Sequence, residues 1–201
     1  MTRIEICGGI ASGKTTLAKL VAEGGSCDLV LEQYRENPFW IRYHASPETW
    51  VEEKNFCFLL QHIGAIKAMG DAGLVVCDYA VFQDLAYARL VENRNHSQLM
   101  KALFKHLYSK YEPPTLVVFL SCSPQIQLQR IRARGRPEEV GMAVDYLAKL
   151  NSAIGSIVKE VVPKTRVHHI STDVIDFATQ PHTAAAVKAE ILARVASALA
   201  P

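Results

Sequence analysis

The 201-residue chain has little of several features that would restrict its class. No apolar run approaches the roughly 20 residues that a membrane-spanning helix needs. Glu5 and a glycine-rich stretch stand where a signal peptide would have its apolar core. Charge of one sign is also scarce, because 22 basic and 20 acidic residues leave a formal net charge of +2. We therefore expect no membrane attachment and no nucleic acid partner.

Cysteine is limited to five residues, and none of them shows the paired spacing of a metal site. An odd number of cysteines in apolar segments is typical of reduced thiols. From this we expect a soluble protein of the cytoplasm.

Strand-like and helical segments alternate along the chain, over a length that suits one domain, 1–201. The predicted strands are 4–7, 27–31, 74–77, 115–120 and 166–170. A helix is predicted after residue 15, and others at 50–69, 82–91, 98–111, 123–133, 141–161 and 183–199. The segment 33–46 is expected to be irregular. This alternation predicts an α/β fold, in which a parallel sheet of about five strands has helices on both faces.

Residues 8–15, with the sequence GGIASGKT, match the phosphate-binding P-loop pattern G-x-x-x-x-G-K-[ST]. A predicted strand precedes them, and Leu17, Leu20 and Val21 then keep helical spacing. Phosphates of a nucleoside triphosphate are expected to contact Gly8, Ala11, Ser12, Gly13, Lys14, Thr15 and Thr16. Lys14, exposed until nucleotide binds, would reach the outer phosphates, and the Thr15 hydroxyl would ligate Mg²⁺. The alternative is a glycine turn that matches by chance.

Glu32 and Asp78 each follow a predicted strand, at the edge of a parallel sheet where ligands bind. Phosphoryl transfer needs one carboxylate to accept the proton of the acceptor and another near the metal. Two acids beside a P-loop therefore indicate catalysis. The alternative is that they only cap strand ends or are solvated.

Four arginines, at positions 130, 132, 134 and 136, surround a helix break at Gly135. Arg130 and Arg134 share one helix face, so we expect a mobile lid that closes over a triphosphate and neutralises its charge. The alternative is a solvated basic helix end.

Asn55 and His62 lie two turns apart on an otherwise apolar stripe of the predicted helix 50–69. Buried polar groups need partners, and the edge of a nucleobase would supply them. The alternative is that both belong to the core and have backbone partners.

These motifs together resemble those of the deoxyribonucleoside kinase family over nearly the whole chain. Residues 134–141 (RGRPEEVG) and 145–150 (DYLAKL) are similar to the family's arginine lid and the helix after it. Glu32 with 36–39 (ENPF) resembles the segment of the catalytic glutamate, especially in bacterial deoxyguanosine and deoxyadenosine kinases. Residues 78–84 occupy the place of the family's (E/D)-R-S motif. The resemblance implies a P-loop NTPase-type fold, phosphorylation of a deoxyribonucleoside 5′-hydroxyl with ATP and Mg²⁺, and a homodimer.

The resemblance also implies roles for individual side chains. Glu32 would be the general base, and Asp78 would help to hold Mg²⁺. The phosphates would be clamped by Arg130, Arg134 and Arg136. The substrate would be contacted by Glu139 with Tyr43 or His44 at the sugar, by Asn55, His62 and Asp84 at the base, and by Tyr79 at the acceptor end.

Three of these residues depart from the family pattern. Tyr79 replaces the arginine of the (E/D)-R-S motif, His62 stands where an arginine is common, and Asn55 is shorter than the usual glutamine. A shorter amide leaves room for a purine, and Asp84 would accept from base N–H donors. We therefore expect deoxyguanosine or deoxyadenosine to be preferred to thymidine. The alternatives are a nucleoside monophosphate kinase, another small-molecule P-loop kinase, or a nucleotide-binding regulator without catalysis.

Overall fold

The computed structural model describes residues 1–25, 27–70 and 72–200. The strands are β1 (Thr2–Gly8), β2 (Asp28–Val30), β3 (Leu74–Cys77), β4 (Leu116–Ser121) and β5 (Val167–Ser171). The helices are α1 (Lys14–Ala22), α2 (Trp40–Ala45), α3 (Pro47–Ala68), α4 (Asp84–Arg89), α5 (Arg94–Tyr108), α6 (Pro124–Arg134), α7 (Val144–Val161) and α8 (Pro181–Leu199). Short 3₁₀ segments lie at Tyr34–Glu36, Val81–Gln83, Pro137–Glu139 and Lys164–Arg166.

The five strands of the described ranges form one parallel sheet in the order β2-β3-β1-β4-β5. Ile4 of the central strand β1 pairs with Val76 of β3 on one side and with Leu116 of β4 on the other. Parallel neighbours require crossover connections, and the helices supply them. The predicted parallel sheet of five strands is thereby confirmed.

Side chains of the sheet alternate between two apolar clusters, one on each face. On one face Ile4 packs with Leu17 of α1 and Ile191 of α8. On the other face Cys7 packs with Leu59 of α3, in a cluster that also includes residues of α5 and α7. Helices therefore cover both faces, as predicted, and the carboxyl ends of the strands lie at one edge. No helix in the described ranges is both long enough and apolar enough to cross a membrane.

The expectation that 33–46 is irregular is wrong, because this segment contains α2. Asn37, which is 2% exposed, fixes the turn before the helix. Its Oδ1 accepts a hydrogen bond from the Phe39 N–H (3.0 Å), and its Nδ2 donates one to the Lys54 carbonyl (3.0 Å). The Phe39 ring also stacks on Trp50 of α3 at 5.8 Å between centroids. Tertiary packing against α3, which local patterns do not show, thus stabilises α2.

Several predicted helix boundaries also differ from the structure, among them those of α4 and α5. α5 begins at Arg94 rather than at 98, because the Asn93 side chain accepts hydrogen bonds from the N–H groups of Asn95 and His96 and caps the helix. The predicted helix 82–91 is a 3₁₀ turn followed by α4. Both differences leave the residues at the sheet edge in place.

Candidate active site

The loop between β1 and α1 is folded tightly by two left-handed residues. Gly13 has a φ of 102° and directly precedes α1, and Ala11 has a φ of 57°. Within the described part of the chain no side chain caps the start of α1, so its first N–H groups are available to a ligand. The Ser12 hydroxyl is buried, and none of the described residues hydrogen-bonds it. Such a helix start, with a further donor beside it, fits a phosphate group.

The loop is held from outside by side chains of α6, α7 and the segment before α4. Gln127 Nε2 donates to the Ile10 carbonyl at 2.8 Å. A Cβ at Gly9 would lie 2.1 Å from that nitrogen and 2.2 Å from Asn151 Oδ1, so only glycine permits this approach. The Gly8 N–H donates to Gln83 Oε1 at 2.9 Å. Gly8 therefore supports the loop from below and does not line the cavity above it.

Lys14 is half-buried, so the expectation that it is exposed before nucleotide binds is wrong. Its Nζ donates to the carbonyls of Gly8 and Gly9, each at 3.0 Å. Burial lowers the pKa of Lys14, although the nearby carboxylates of Glu32 and Asp78 oppose this shift. The loop thus holds the ammonium group in place until a stronger acceptor arrives.

Thr15, in the first turn of α1, and Asp78, directly after β3, place two side-chain oxygens next to each other. The Thr15 hydroxyl donates to Asp78 Oδ2 at 2.7 Å, and the Glu32 N–H donates to Asp78 Oδ1 at 2.6 Å. In the described ranges no group of three or more histidine, cysteine or acidic side chains could hold a metal by itself. Mg²⁺ commonly takes one or two protein oxygens and completes its shell with phosphates and water. The side-chain oxygens of Thr15 and Asp78 fit such a site.

A cavity of about 810 Å³ opens above the P-loop and brings most of the predicted site residues together. From the prediction it is lined by Ala11, Ser12, Gly13, Lys14, Thr15, Thr16, Glu32, Tyr43, His44, Asn55, Asp78, Asp84, Arg130, Arg134, Arg136 and Glu139. Three predicted residues, Gly8, His62 and Tyr79, do not line it. His62 and Tyr79 instead stack on each other behind its wall, with ring centroids 4.1 Å apart.

The Glu32 side chain follows β2 and remains 38% exposed toward the cavity. Its Oε1 lies 3.4 Å from His62 Nε2. Burial of the carboxylate would raise the pKa of Glu32, but the contact with His62 and the charges of Lys14 and Arg136 outweigh it and lower this pKa. The carboxylate is therefore ionised at neutral pH and able to accept a proton.

The arginines of the predicted lid differ in what holds them. Arg130 donates to the Thr172 hydroxyl (3.0 Å) and carbonyl (2.8 Å), which anchors it beside the loop. Arg134 binds Glu139 through two hydrogen bonds, and Arg136 lies 3.7 Å from the same carboxylate. Gly135, with a φ of 63°, ends α6 between them. Glu139 thus holds two lid arginines in this structure.

Of the residues predicted for the nucleobase and the sugar, all except His62 line the cavity, which is rich in aromatic rings on this side. Asn55 Nδ2 contacts His96 Nε2 at 3.2 Å, and Asp84 Oδ2 accepts from His62 Nδ1 at 2.8 Å. Both side chains are buried within the wall yet border the cavity. The rings at this end are those of Tyr34, Trp40, Tyr43, Phe58, Tyr87 and Tyr146. A flat ligand ring fits between such side chains.

Sequence reasoning missed two parts of the site. Lys54 is 6% exposed, borders the cavity, and has its Nζ 3.9 Å from the Tyr43 ring centroid. Burial lowers the pKa of Lys54 to about 8, against the opposing effect of Asp84 and Glu32. Residues 172–179, after β5, also line the cavity beside the P-loop. The sheet-edge rule that selected Glu32 and Asp78 could have found this loop, whereas nothing in the local pattern marks Lys54 as buried.

A P-loop at the centre of a parallel sheet, facing carboxylates and arginines across one cavity, defines a P-loop phosphotransferase. The deoxynucleoside kinase family model matches residues 4–197, and the chain belongs to this family. Membership decides against the alternatives of a monophosphate kinase and of a regulator without catalysis. The expected family resemblance and the assignment as an enzyme are confirmed.

Named relatives agree with this family. The chain is 25% identical to deoxyguanosine kinase from Bacillus subtilis over 182 residues, which cover 87% of this chain and 88% of that protein. It is 26% identical to deoxyadenosine kinase from Dictyostelium discoideum, with 83% of this chain and 72% of that protein covered. A solved structure of deoxyadenosine kinase from M. mycoides with bound dATP covers 95% of this chain and 99% of its own, with a TM-score of 0.80 and 17% identity. This last likeness shows the shared fold.

Proposed function

We propose that the protein transfers the terminal phosphoryl group of ATP to the 5′-hydroxyl of a deoxyribonucleoside. Glu32 accepts the hydroxyl proton, and Lys14 with Arg130, Arg134 and Arg136 neutralises the phosphates. The observation that carries this proposal is that Glu32, the P-loop and the lid arginines all border one cavity. Their convergence gives a base on one side of the reacting phosphorus and cations on the other.

Mg²⁺, when bound, neutralises charge on the phosphates. Thr15 and Asp78 are the residues proposed to hold it, because their oxygens already meet at 2.7 Å beside the loop. Asp78 also fixes the backbone of Glu32, so metal and base share one support. The homodimer and the cytoplasmic location stay predictions that rest on the family resemblance and on composition.

The base-binding end of the cavity is proposed to favour a purine. Asp84 uses Oδ2 for His62, while its Oδ1 makes no hydrogen bond within the described ranges. That oxygen can accept from a base N–H, and the Lys54 ammonium can donate to a ring nitrogen or carbonyl. The names of two relatives, deoxyguanosine kinase and deoxyadenosine kinase, support the same preference, whereas another relative is named deoxyadenosine/deoxycytidine kinase.

An acceptor panel tests the proposed reaction. Release of ADP from ATP with Mg²⁺ is measured with each of the four deoxyribonucleosides, with the four corresponding monophosphates, and without acceptor. We expect turnover with deoxyribonucleosides, and the highest kcat/KM for deoxyguanosine or deoxyadenosine. Turnover that is highest with a monophosphate, or that needs no acceptor, would contradict the reaction. Highest kcat/KM for thymidine or deoxycytidine would contradict the base preference alone.

Hydrogen exchange tests the lid. We expect amide exchange across 130–141 to slow when ATP and Mg²⁺ are added, because phosphates replace Glu139 as the partner of Arg134 and Arg136. Mass spectrometry of the protein with and without nucleotide measures it. α5, which does not border the cavity, serves as the internal control. Unchanged exchange across 130–141, beside a cavity that demonstrably binds ATP, would show that this segment is only a solvated helix end.

A further inference from the structure

His62 lies between two carboxylates behind the wall of the cavity. Its Nδ1 is 2.8 Å from Asp84 Oδ2, and its Nε2 is 3.4 Å from Glu32 Oε1. The three side chains come from α3, α4 and the end of β2. Asp84 is hydrogen-bonded to His62, and His62 forms an ion pair with Glu32, the carboxylate proposed as the general base.

Packing fixes the orientation of the His62 ring. It stacks on Tyr79 at 4.1 Å and 20°, and on Phe58 at 5.7 Å and 29°. The Tyr79 hydroxyl donates to the His62 backbone carbonyl at 3.1 Å. Only 6% of the His62 side chain is exposed. The direction in which Nε2 points is therefore set by packing and does not depend on a ligand.

His62 Nδ1 hydrogen-bonds Asp84, whereas Nε2 makes no hydrogen bond within the described ranges and faces Glu32 Oε1 at ion-pair distance. An imidazole carries a proton on both nitrogens only when it is charged. Burial would lower the pKa of His62, but Asp84 and Glu32 outweigh burial and raise it to about 10. Lys54 also acts electrostatically on Asp84, and Lys14 and Arg136 act on Glu32. His62 is therefore a cation at neutral pH, held against Glu32.

The contacts of His62 bear on one departure from the family pattern, the missing positive charge at position 79. The position that resembles a family arginine, next to Asp78, is Tyr79, which has no positive charge. Tyr79 instead supports the ring of His62 from below. The cation beside Glu32, the proposed general base, is thus His62 of α3 and not a residue of the segment after β3.

We propose that His62 is a positioning residue for phosphoryl transfer: held by Asp84 and stacked on Tyr79, it fixes the Glu32 carboxylate through Nε2. Contact at Oε1 leaves Oε2 of Glu32 as the oxygen that accepts the proton of the 5′-hydroxyl. His62 does not border the cavity and acts only through Glu32. This inference rests on the proposed role of Glu32 as the base.

Two substitutions separate the two contacts of the ring. His62→Asn places an amide near the former Nδ1, where it can still reach Asp84, and loses the donor toward Glu32. His62→Gln, one methylene longer, places its amide near the former Nε2. We expect His62→Asn to lower kcat by about 10²-fold, the cost typical of a misplaced catalytic group. KM for the nucleoside should change only a few-fold, and His62→Gln should lose less kcat than His62→Asn.

A double-mutant cycle with Glu32→Gln decides whether His62 acts through Glu32. If it does, adding His62→Asn to Glu32→Gln lowers kcat no further than a few-fold, because there is no base left to position. The inference would be overturned if His62→Asn lowered kcat by the same factor in the wild-type protein and in Glu32→Gln. A near-normal kcat for His62→Asn alone would also overturn it. If His62→Asn does not fold, as judged by thermal unfolding, the same cycle is run with His62→Gln.

His168→Gln is the matched control. His168 is a buried histidine of β5, with Nε2 3.6 Å from Glu190, and it does not border the cavity. We expect its replacement to leave kcat unchanged. If the proposed role of Glu32 is wrong, Glu32→Gln alone would retain turnover. This result differs from the one expected if only the inference about His62 is wrong. A large loss in Glu32→Gln with additive effects of His62 would sink only the role of His62.

Discussion

Replacing Glu32 with glutamine is expected to lower kcat for deoxyribonucleoside phosphorylation by roughly 10²–10⁴-fold, the usual contribution of a general base. Glutamine keeps the size of the side chain and can still meet His62, but it cannot accept the proton of the hydroxyl. The N–H of residue 32 still donates to Asp78, so the support of the P-loop is retained. Steady-state kinetics with saturating ATP measures the loss, and the affinity for ATP should barely change.

Glu36→Gln is the control for this experiment. Glu36 lies in the same connection after β2, is exposed, and does not border the main cavity. Its replacement should leave kcat within a few-fold of normal. If Glu32→Gln behaved like Glu36→Gln, Glu32 would be a structural acid, and Asp78 would be the next candidate for the base.

Lys14→Ala is expected to have the second largest effect, a loss of roughly 10²–10³-fold in kcat, as when one charge-stabilising donor is removed from an active site. The Lys14 ammonium already points along the loop, where it donates to the carbonyls of Gly8 and Gly9. Phosphate oxygens compete for the same donors, so its loss weakens stabilisation of the transferring group. Single-turnover kinetics with ATP and a preferred nucleoside separates this loss from weaker binding.

Lys19→Ala, on the exposed side of the same helix α1, removes an equal charge away from the cavity. It should leave turnover and thermal stability close to normal. Lys14→Ala should keep the melting temperature within a few degrees as well, because the Lys14 side chain borders the cavity and water that enters the vacated space can bond the two carbonyls. Near-normal turnover of Lys14→Ala would refute the role of the loop in catalysis.

The sheet and the loop could be predicted because their signals are local. Strand β1, the glycine pattern and the first turns of α1 fall within about two dozen residues, and period and spacing identify each of them. The edge where Glu32 and Asp78 lie follows from the direction of parallel strands. The sequence alone therefore predicts that these residues lie close together.

What could not be predicted is which polar groups pair. Asn55 and His62 share one stripe of a helix, which predicts that both side chains contact the same nucleobase. In the structure Asn55 contacts His96 of α5, and His62 contacts Asp84 of α4. These partners are set by how α3 packs on its neighbours, 22 or more residues away in sequence. Burial of Lys54 has the same origin, since two tyrosine rings from other helices enclose it.

Asp84 both borders the end of the cavity proposed to bind the nucleobase and holds His62, so on the proposed roles one carboxylate would couple substrate range to rate. A lineage that exchanged Asp84 to accept a new base would also loosen the support of Glu32 and slow the transfer step. Lys54 borders the same end and its charge interacts with Asp84 and Glu32, so its exchange would also alter the surroundings of the proposed general base. In the proposed site, a change of nucleobase preference at position 84 would therefore carry a cost in the rate of phosphoryl transfer.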